Sequence, residues 1–239
     1  MRSAVVDAPV RPITSQLAGP AYAVRMCLRA IHLAVVFLLV AAFACAQEEP
    51  RTGRVQIAGG GGLVTAGAYF TGPGSLKFSS SDALAGALQI RVAVYRSFSI
   101  VLAGTYARPD WQLTGVPLIG SAGVPGAGVW FVDAALRGEL PLGRVGPTGA
   151  VAFAQVGTGL AHYSINTSVL GAVVDKSATN FALALAAGAA LPVADRFGIE
   201  LMAKDYIASF KSVTDLATFG IEGRRAHTVL LVASGRLSL

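Results

Sequence analysis

Hydrophobic and polar positions alternate with a period of two along most of the chain. The clearest case is residues 181–210, where two alternating runs flank a tight turn at 194–196. The apolar parity of the first run comprises Phe181, Leu183, Leu185, Ala187, Ala189, Leu191 and Val193. Alanine and glycine dominate the other parity. Because successive side chains of a strand point to opposite faces, the segment predicts a β-hairpin with one apolar face.

The same alternation predicts eight strands in all, at 54–69, 84–95, 98–113, 130–140, 148–165, 181–193, 197–210 and 226–239. Long connections at 71–82, 115–128, 166–178 and 211–225 alternate with short turns at 96–97, 142–147 and 194–196. Short periplasmic turns alternating with longer external loops are typical of outer-membrane barrels. We therefore predict an all-β fold, an eight-stranded antiparallel up-and-down transmembrane β-barrel with four external loops.

The apolar face of these strands is predicted to contact lipid. A soluble sandwich or lipocalin-like barrel buries its apolar face and covers its outer face with polar residues. Here the opposite face is mostly alanine and glycine with few charges, which suits a narrow, filled lumen. A helical membrane protein is excluded as well, because no uncharged apolar run after residue 46 reaches about 18 residues. Asp205 has the apolar parity, so it is predicted to lie at or above the membrane interface.

The start of the chain has the layout of an export signal. Residues 26–46 combine a basic start, an apolar core at 31–44 and a small-residue sequence at 44–46. A secretory signal with its cleavage site has this order of segments. The apolar core is shorter than the ~20 residues that a spanning helix needs, and a membrane anchor is therefore the alternative interpretation.

Two regions follow from this signal. Residues 1–46 are predicted to be an N-terminal extension and cleaved signal peptide, and residues 47–239 the barrel domain, with translation starting at Met1 or Met26. Both cysteines, Cys27 and Cys45, fall in the segment that is predicted to be removed. The mature chain then contains no thiol, which excludes disulfides, zinc–thiolate sites and cysteine nucleophiles.

The composition limits the classes of partner, cofactor and metal that we expect the protein to bind. The chain is 54% hydrophobic and 13% charged, about half the usual charged share. Its formal charge is +6, but the part after residue 46 carries 15 basic and 12 acidic residues, a net charge of +3. No basic cluster alternates with aromatic residues, so we predict no nucleic-acid partner. No cofactor is predicted, and no metal site either, because His162 and His227 have no partner at ligand spacing.

The rhythm of strands and loops, together with the alternating C-terminal sequence 233–239, resembles the small eight-stranded outer-membrane barrels typified by OmpA, OmpX and the opacity-type surface proteins. The resemblance covers about residues 53–239. It implies a monomer in the bacterial outer membrane, in contact with outer-membrane lipid and inserted by the barrel-assembly machinery. Members of the family commonly end in an aromatic residue, whereas this chain ends in Leu239, which keeps the apolar parity but lacks the ring.

Seven charged residues occupy strand positions that alternate with the apolar ones, and we predict that they face the lumen: Arg91, Asp133, Arg137, Glu139, Glu200, Lys204 and Arg236. An eight-stranded barrel is just wide enough for side chains to fill, and buried charges there must pair. Glu200 and Arg236 are predicted to form one such pair, at similar depth on neighbouring strands. A filled lumen favours a structural or surface-interaction role, with any external ligand bound by the loops. A narrow porin-like channel is the alternative.

Aromatic residues cluster near the strand ends. Trp111, Trp130, Tyr106 and Tyr163 fall near the long loops, and Tyr95, Phe98 and Phe197 near the short turns. Outer-membrane barrels carry aromatic girdles at both interfaces. We predict that both sets belong to such girdles.

One triplet has catalytic potential. His162 and Ser164 share a strand face, so the imidazole could activate the hydroxyl, with Asp175 as the orienting carboxylate. The triplet resembles the His-x-Ser motif of the outer-membrane lipid A deacylases, which are also eight-stranded barrels. In that family the motif lies near the C-terminus and is followed by Asn, whereas Ile165 follows here. A lipid-modifying enzyme is therefore a second alternative, and our prediction is that these are rim residues of a protein that is not an enzyme.

Overall fold

The computed structural model describes residues 55–72, 77–95, 97–116, 120–124, 127–145, 148–169, 172–209, 222–223 and 225–239. Eight antiparallel strands close a barrel: β1 (Val55–Ala66), β4 (Ala83–Tyr95), β5 (Phe98–Ala107), β8 (Ala127–Val145), β9 (Thr148–Val169), β10 (Ala172–Pro192), β11 (Phe197–Ser209) and β13 (Arg225–Ser238). The predicted fold class is confirmed. The predicted signal and extension at 1–46 lie outside the described residues.

Five shorter strands form a second sheet at one end of the barrel: β2 (Ala68–Thr71), β3 (Lys77–Ser80), β6 (Trp111–Val116), β7 (Gly120–Val124) and β12 (Glu222–Gly223), in the order β12-β2-β3-β6-β7. We call this end of the barrel the outer end. The opposite end carries the turn at 194–196 and is called the turn end. Among the described residues, no helix is long and apolar enough to cross a membrane.

The strand register sets the shape of the barrel. Hydrogen-bonded partners can be followed from Val55 through β4, β5, β8, β9, β10, β11 and β13, and the path returns to β1 at Thr65. The displacement between these two residues is ten positions. Closure with such a stagger requires strands tilted by about 35–45° to the barrel axis. Tilted strands of ~9–11 residues span a bilayer, so even the 10-residue β5 is long enough.

The described parts of all four predicted long loops contain strand, including β12 (Glu222–Gly223) in the fourth. The segment 71–82 includes β3, the segment 115–128 includes β7, and β9 and β10 extend to Val169 and from Ala172 across the predicted loop 166–178. The sheet β12-β2-β3-β6-β7 repeats the neighbour order of the barrel strands that these short strands continue. Once the barrel ladder is formed, the adjacent backbone can extend it although the side-chain alternation is weak. Most of the fourth predicted loop, 211–225, lies outside the described residues.

The predicted short turn at 142–147 is wrong in its bounds, because β8 continues to Val145 and pairs Arg144 with Gly149 of β9, whereas the other two short turns agree with the sequence. At 194–196 the chain reverses through hydrogen bonds from Val193 N to Phe197 O (2.9 Å) and from Phe197 N to Ala194 O (3.2 Å). Ser97 likewise occupies a turn between β4 and β5. These tight connections confirm that the residues around them form hairpins of the kind that the alternation predicted.

The outward face is apolar around the barrel. Its exposed large side chains include Leu88, Ile90, Ile100, Leu102, Val132, Leu136, Leu160, Leu183, Leu191, Ile199, Leu201 and Leu231. A contiguous apolar band of this kind is the surface that faces lipid in membrane barrels. The alternate residues of the same strands are buried within the barrel, so the protein core lies in the lumen.

Part of the girdle prediction is wrong. Tyr106 and Trp130 are exposed at the outer end, as are Tyr95 and Phe197 at the turn end. Trp111 and Tyr163, however, belong to the buried core cluster, because strand parity rather than nearness to a strand end decides which face a side chain takes. Phe98 is buried too, although it has the parity of the exposed Ile100 and Leu102.

Two glycines of β1 mark a close approach of backbones. Gly60 and Gly62 stand opposite β13, and a Cβ atom on either would run into main-chain atoms of β13, at Ala233 and Leu231. The glycine run of β1 therefore serves packing between neighbouring strands.

Candidate functional site in the barrel lumen

The first level of the lumen, nearest the turn end, is an arginine layer formed by Arg91, Arg137, Glu139, Glu200 and Arg236. Arg137 sits at its centre, with Nε 2.9 Å from Glu139 Oε1 and Nη1 2.9 Å from Glu200 Oε2. Its guanidinium also lies 3.5 Å from the centre of the Phe153 ring. Arg91 donates to Glu139 and to Gln56, and Gln89 donates to Glu200. The layer is thus a network in which both carboxylates accept charge-assisted hydrogen bonds.

The second level is a lysine layer of Asp133, Lys204, Tyr206 and Thr105. Lys204 Nζ lies 2.6 Å from Asp133 Oδ1, and the Tyr206 hydroxyl donates to the same oxygen over 2.8 Å. Thr105 Oγ1 is 3.3 Å from the Tyr206 hydroxyl. Asp133, Lys204 and Tyr206 are each 1% exposed, so the ion pair is shielded from bulk water. Breaking it would leave a charge in a low-dielectric interior.

The third level, at the outer end, is an aromatic plug of Tyr69, Trp111, Phe131 and Tyr163. Tyr69 meets Trp111 edge-on at 5.1 Å and Tyr163 at 5.3 Å between ring centres. Phe131 contacts Tyr163 at 6.0 Å and stacks on Tyr206 of the lysine layer at 4.2 Å. All four side chains are buried. Burial raises the pKa of Tyr69, partly offset by hydrogen bonds to Ser80 and Thr228, so this phenol stays neutral.

Little space remains between these levels. One cavity beside the arginine layer and another between it and the lysine layer each measure about 10 Å³. That is about the space that one water molecule needs. Several buried polar atoms that line the lumen have no hydrogen-bond partner among the described residues, namely Gln89 Oε1, Asp133 Oδ2, Arg137 Nη2 and both amide atoms of Gln155. Such atoms mark the places where isolated waters or ions fit.

The seven charged residues predicted for the lumen all lie on its inner side, and the structure changes one pairing. Glu200 is bonded to Arg137 across the lumen, whereas the sequence predicted Arg236 on the neighbouring strand. The register places Glu200 opposite Ser234 and Arg236 opposite Gly198. In so narrow a barrel, a side chain on a distant strand is as close as one on the adjacent strand.

Sequence reasoning also missed the uncharged members of these layers, which are Gln56, Gln89, Gln155, Thr105 and Tyr206. Gln89 has the parity of Arg91 on β4, and Tyr206 has the parity of Lys204 on β11, whereas the strands of the other three carry no Asp, Glu, Lys or Arg. A polar residue among the small residues at the inward-facing positions of a strand was the sequence signal that could have identified them.

Comparison with solved structures identifies the fold. The outer membrane protein OprG from Pseudomonas aeruginosa superposes with a TM-score of 0.54 at 10% identity, over 80% of this chain and 97% of that chain. The chain has the fold of the small outer-membrane β-barrels.

Two further barrels of this fold are also similar. Neisserial surface protein A gives a TM-score of 0.49 at 10% identity, over 79% of this chain and 98% of that chain. The outer membrane protein AlkL gives 0.48 at 11% identity, over 81% and 93%. No protein-family model and no curated protein sequence matches the chain.

The proposed catalytic residues lie on the outside of this outer-membrane-type barrel. His162 stacks on Trp130 with ring centres 4.9 Å apart, and its Nδ1 is 2.8 Å from Thr179 Oγ1. Ser164 Oγ donates to the Gly128 carbonyl over 3.3 Å. Both side chains are therefore engaged with partners other than each other.

Asp175, the third candidate, stands opposite Asn166 in the β9–β10 hairpin, and its side chain lies outside the described part of the chain. In the described segments, no three His, Cys, Asp or Glu side chains converge as metal ligands.

A second polar pair lies towards the outer end of the barrel wall. Asp205 has the outward parity of β11 but is 0% exposed, and its Oδ2 is 2.9 Å from His227 Nδ1 on β13. The burial differs from the expectation of a carboxylate at an open interface. The hydrogen bond to the imidazole explains how the strand accommodates the group, because it satisfies one carboxylate oxygen locally.

Proposed function

We propose that the protein works in the bacterial outer membrane as a closed, monomeric barrel with a structural or surface-contact role. The observation that carries this proposal is the filling of the lumen at three successive levels by the arginine layer, the lysine layer and the aromatic plug. The apolar outward band and the fold shared with outer-membrane proteins support the location.

The narrow-channel alternative is less consistent with this interior. A permeating ion would have to pass Arg137 and Lys204, whose partners hold them across the lumen. Separating a buried pair of this kind costs about 3–5 kcal/mol. Two cavities at these layers, lined by described residues, each have room for about one water, and isolated waters do not favour ion conduction.

The outer-end strands are the part that offers a contact surface. The sheet β12-β2-β3-β6-β7 and the β9–β10 hairpin extend the barrel ladder at this end. The aromatic plug packs Tyr69 of β2 and Trp111 of β6 against Tyr163 of β9, which joins the two parts from within. Recognition residues usually sit on segments held by such a rigid scaffold.

Topology can be tested by single-cysteine labelling of intact cells with a membrane-impermeant maleimide. The predicted mature chain has no cysteine, so Arg108→Cys at the outer end and Asp195→Cys at the turn end introduce one each. Both positions are exposed. We expect labelling of the first variant in intact cells and of the second only after lysis. Labelling of the second alone would overturn the orientation.

The closed state is tested separately in planar bilayers. Purified wild-type protein with heat-modifiable gel mobility should give no steady conductance. A positive control is the variant Tyr163→Ala/Lys204→Ala/Arg137→Ala, which removes a large side chain from each of the three levels and should conduct if it folds. Reproducible single-channel steps of the wild type would refute the closed lumen and favour the channel, whatever the control shows.

A further inference from the structure

An open groove crosses the outward face of the barrel where β1, β13, β11 and β10 lie side by side. It has a volume of about 670 Å³, within the ~300–1,000 Å³ of typical small-molecule sites. Three leucines form its rim, and each is more than half exposed: Leu63, Leu201 and Leu231. Small residues at outward-facing positions form its floor, namely Gly61, Ala187, Ala189, Ala203 and Ala233. The lipid-facing band is therefore recessed at this place.

A polar pair stands at the outer end of this groove. Asp205 follows Ala203 at the next outward-facing position of β11, and the register places it between Leu185 of β10 and Val229 of β13. His227 lies one outward-facing position beyond Val229, and its Nδ1 is 2.9 Å from Asp205 Oδ2. The carboxylate is fully buried, whereas the imidazole side chain is 33% exposed. The wall thus changes from apolar to polar along the groove, towards the outer end.

The carboxylate of this pair calls for a second hydrogen bond. His227 meets the Oδ2 atom, but Asp205 Oδ1 has no hydrogen-bond partner among the described residues. A buried carboxylate oxygen requires a donor, and its negative charge disfavours a phosphate beside it. On the groove side the neighbour of Asp205 is Ala203, whose methyl group is the smallest cover that an approaching donor has to displace. The chemistry that fits is a hydrogen-bond donor without negative charge at the end of an apolar chain.

We propose that the groove binds one acyl chain of an outer-leaflet lipid, a chain that is attached through an amide or carries a hydroxyl at its head. The amide N–H or the hydroxyl donates to the Asp205–His227 pair, while the chain lies over the small residues of the floor. An ordinary ester-linked chain fits less well, because an ester accepts hydrogen bonds and donates none. Lipid tails are as apolar as the groove, so contact with the chain adds packing alone and the polar pair selects among lipids.

The location supports a lipid as the occupant. The groove opens onto the apolar outward band of an outer-membrane barrel, where acyl chains are the surrounding solvent. A second copy of the chain would present the same apolar band, which is poor in donors for Asp205. The site goes beyond the surface role proposed above, and it does not depend on the closed lumen.

The test is lipid retention by the purified, folded barrel, measured by native mass spectrometry from a nonionic detergent. The two probes are N-methyltetradecanamide and methyl tetradecanoate, which differ only in an amide N–H against an ester oxygen. We expect the wild type to retain one molecule of the amide at concentrations about tenfold lower than the ester needs, the factor that one hydrogen bond to a charged group supplies. Equal retention of the two probes, or retention of neither, would overturn the proposal.

Two groove-filling variants locate the site. Gly61→Leu and Ala203→Leu each place a side chain on the floor and should abolish retention of the amide. A Cβ atom at Gly61 meets only the Ala85 carbonyl oxygen, at 3.5 Å, which is an ordinary contact. Gly104→Leu is the matched control, because this glycine of β5 is not among the groove residues and a Cβ atom on it meets nothing within 4 Å. Retention that persists in both filled variants would place the lipid elsewhere and refute the site.

The polar pair is tested by Asp205→Leu. This variant should still bind the chain but lose the preference for the amide over the ester, whereas an unchanged preference would contradict the role of the carboxylate. A mass of two chains in the wild type that is lost in Gly61→Leu would assign the groove to a second copy and overturn the lipid. Heat-modifiable gel mobility shows that each variant is folded, and the comparison of the two probes on the wild type stands without the variants. Bilayer conductance does not bear on this outcome, so the two proposals fail independently.

Discussion

Replacing Lys204 with methionine tests whether water screens the charges in the lumen. Lys204 is the sole ion-pair partner recorded for Asp133 among the described residues, at 2.6 Å, and both are 1% exposed. Methionine keeps the length of the side chain but removes the charge. The variant therefore leaves the Asp133 carboxylate in the centre of the barrel with the hydroxyl of Tyr206 as its remaining donor.

The magnitude follows from the burial of the pair. Removing one partner of a buried ion pair costs about 3–5 kcal/mol, because the other charge stays without compensation. The hydrogen bond from Tyr206 persists, so we expect Lys204→Met to lower the free energy of unfolding by about 3 kcal/mol, the low end of that range. The double variant Asp133→Asn/Lys204→Met removes both charges and should recover most of the loss, since neutral replacements of buried pairs are often tolerated.

The assay is urea unfolding of the barrel in lipid vesicles, followed by gel mobility and tryptophan fluorescence. The four proteins of the double-mutant cycle are measured together, so that the coupling between the two charges is isolated. Lys77→Met, at an exposed lysine of β3, serves as the matched control and should leave stability unchanged. A loss below about 1 kcal/mol in Lys204→Met, the range of exposed pairs, would refute the dry lumen and mean that water screens Asp133.

Three other predictions test the remaining parts of the barrel. Phe131→Ala should lower the free energy of unfolding by about 3–5 kcal/mol, measured by the same urea titration, because the ring bridges the aromatic plug and the lysine layer. Leu201→Arg, in the middle of the lipid-facing side of β11, should lower the free energy of unfolding by about 2–4 kcal/mol, whereas Phe197→Arg at the turn-end interface should lower it by about 0–1 kcal/mol. Equal losses in the two variants would contradict the assigned lipid-facing band. His162→Ala and Ser164→Ala should leave lipid A acylation unchanged by mass spectrometry, since each side chain is bonded elsewhere; a change in either variant would favour the enzyme.

Much of the fold could be predicted because a strand in a membrane barrel has two contrasting environments. The alternation of apolar with small or charged residues in 181–193 and 197–210 assigned their lipid and lumen faces correctly, as the exposure of Phe181, Leu183 and Leu201 shows. The tight turn at 194–196 was also evident, since it is bounded by two regular runs. These features depend on the alternation of side chains within one strand, which can be read directly from the sequence.

The outer end was harder to predict. Segments such as 115–128 and 166–178 are rich in glycine and small residues, so their side chains carry a weak pattern. Their strands form because the ladder below them already holds the neighbouring backbones in register. Tyr163 was misplaced for a related reason, since the faces of 148–165 could not be assigned from an irregular alternation.

The sequence by itself determined the barrel, its strand number and the inward side of its charged residues, because each follows from periodicity within one strand. The tertiary structure alone decided which of those residues meet. Closure with a displacement of ten residues from Val55 to Thr65 brings Arg137 to Glu200 and Lys204 to Asp133, on strands that are not neighbours. Stagger and curvature act between strands, so contacts across the lumen arise only when the barrel closes.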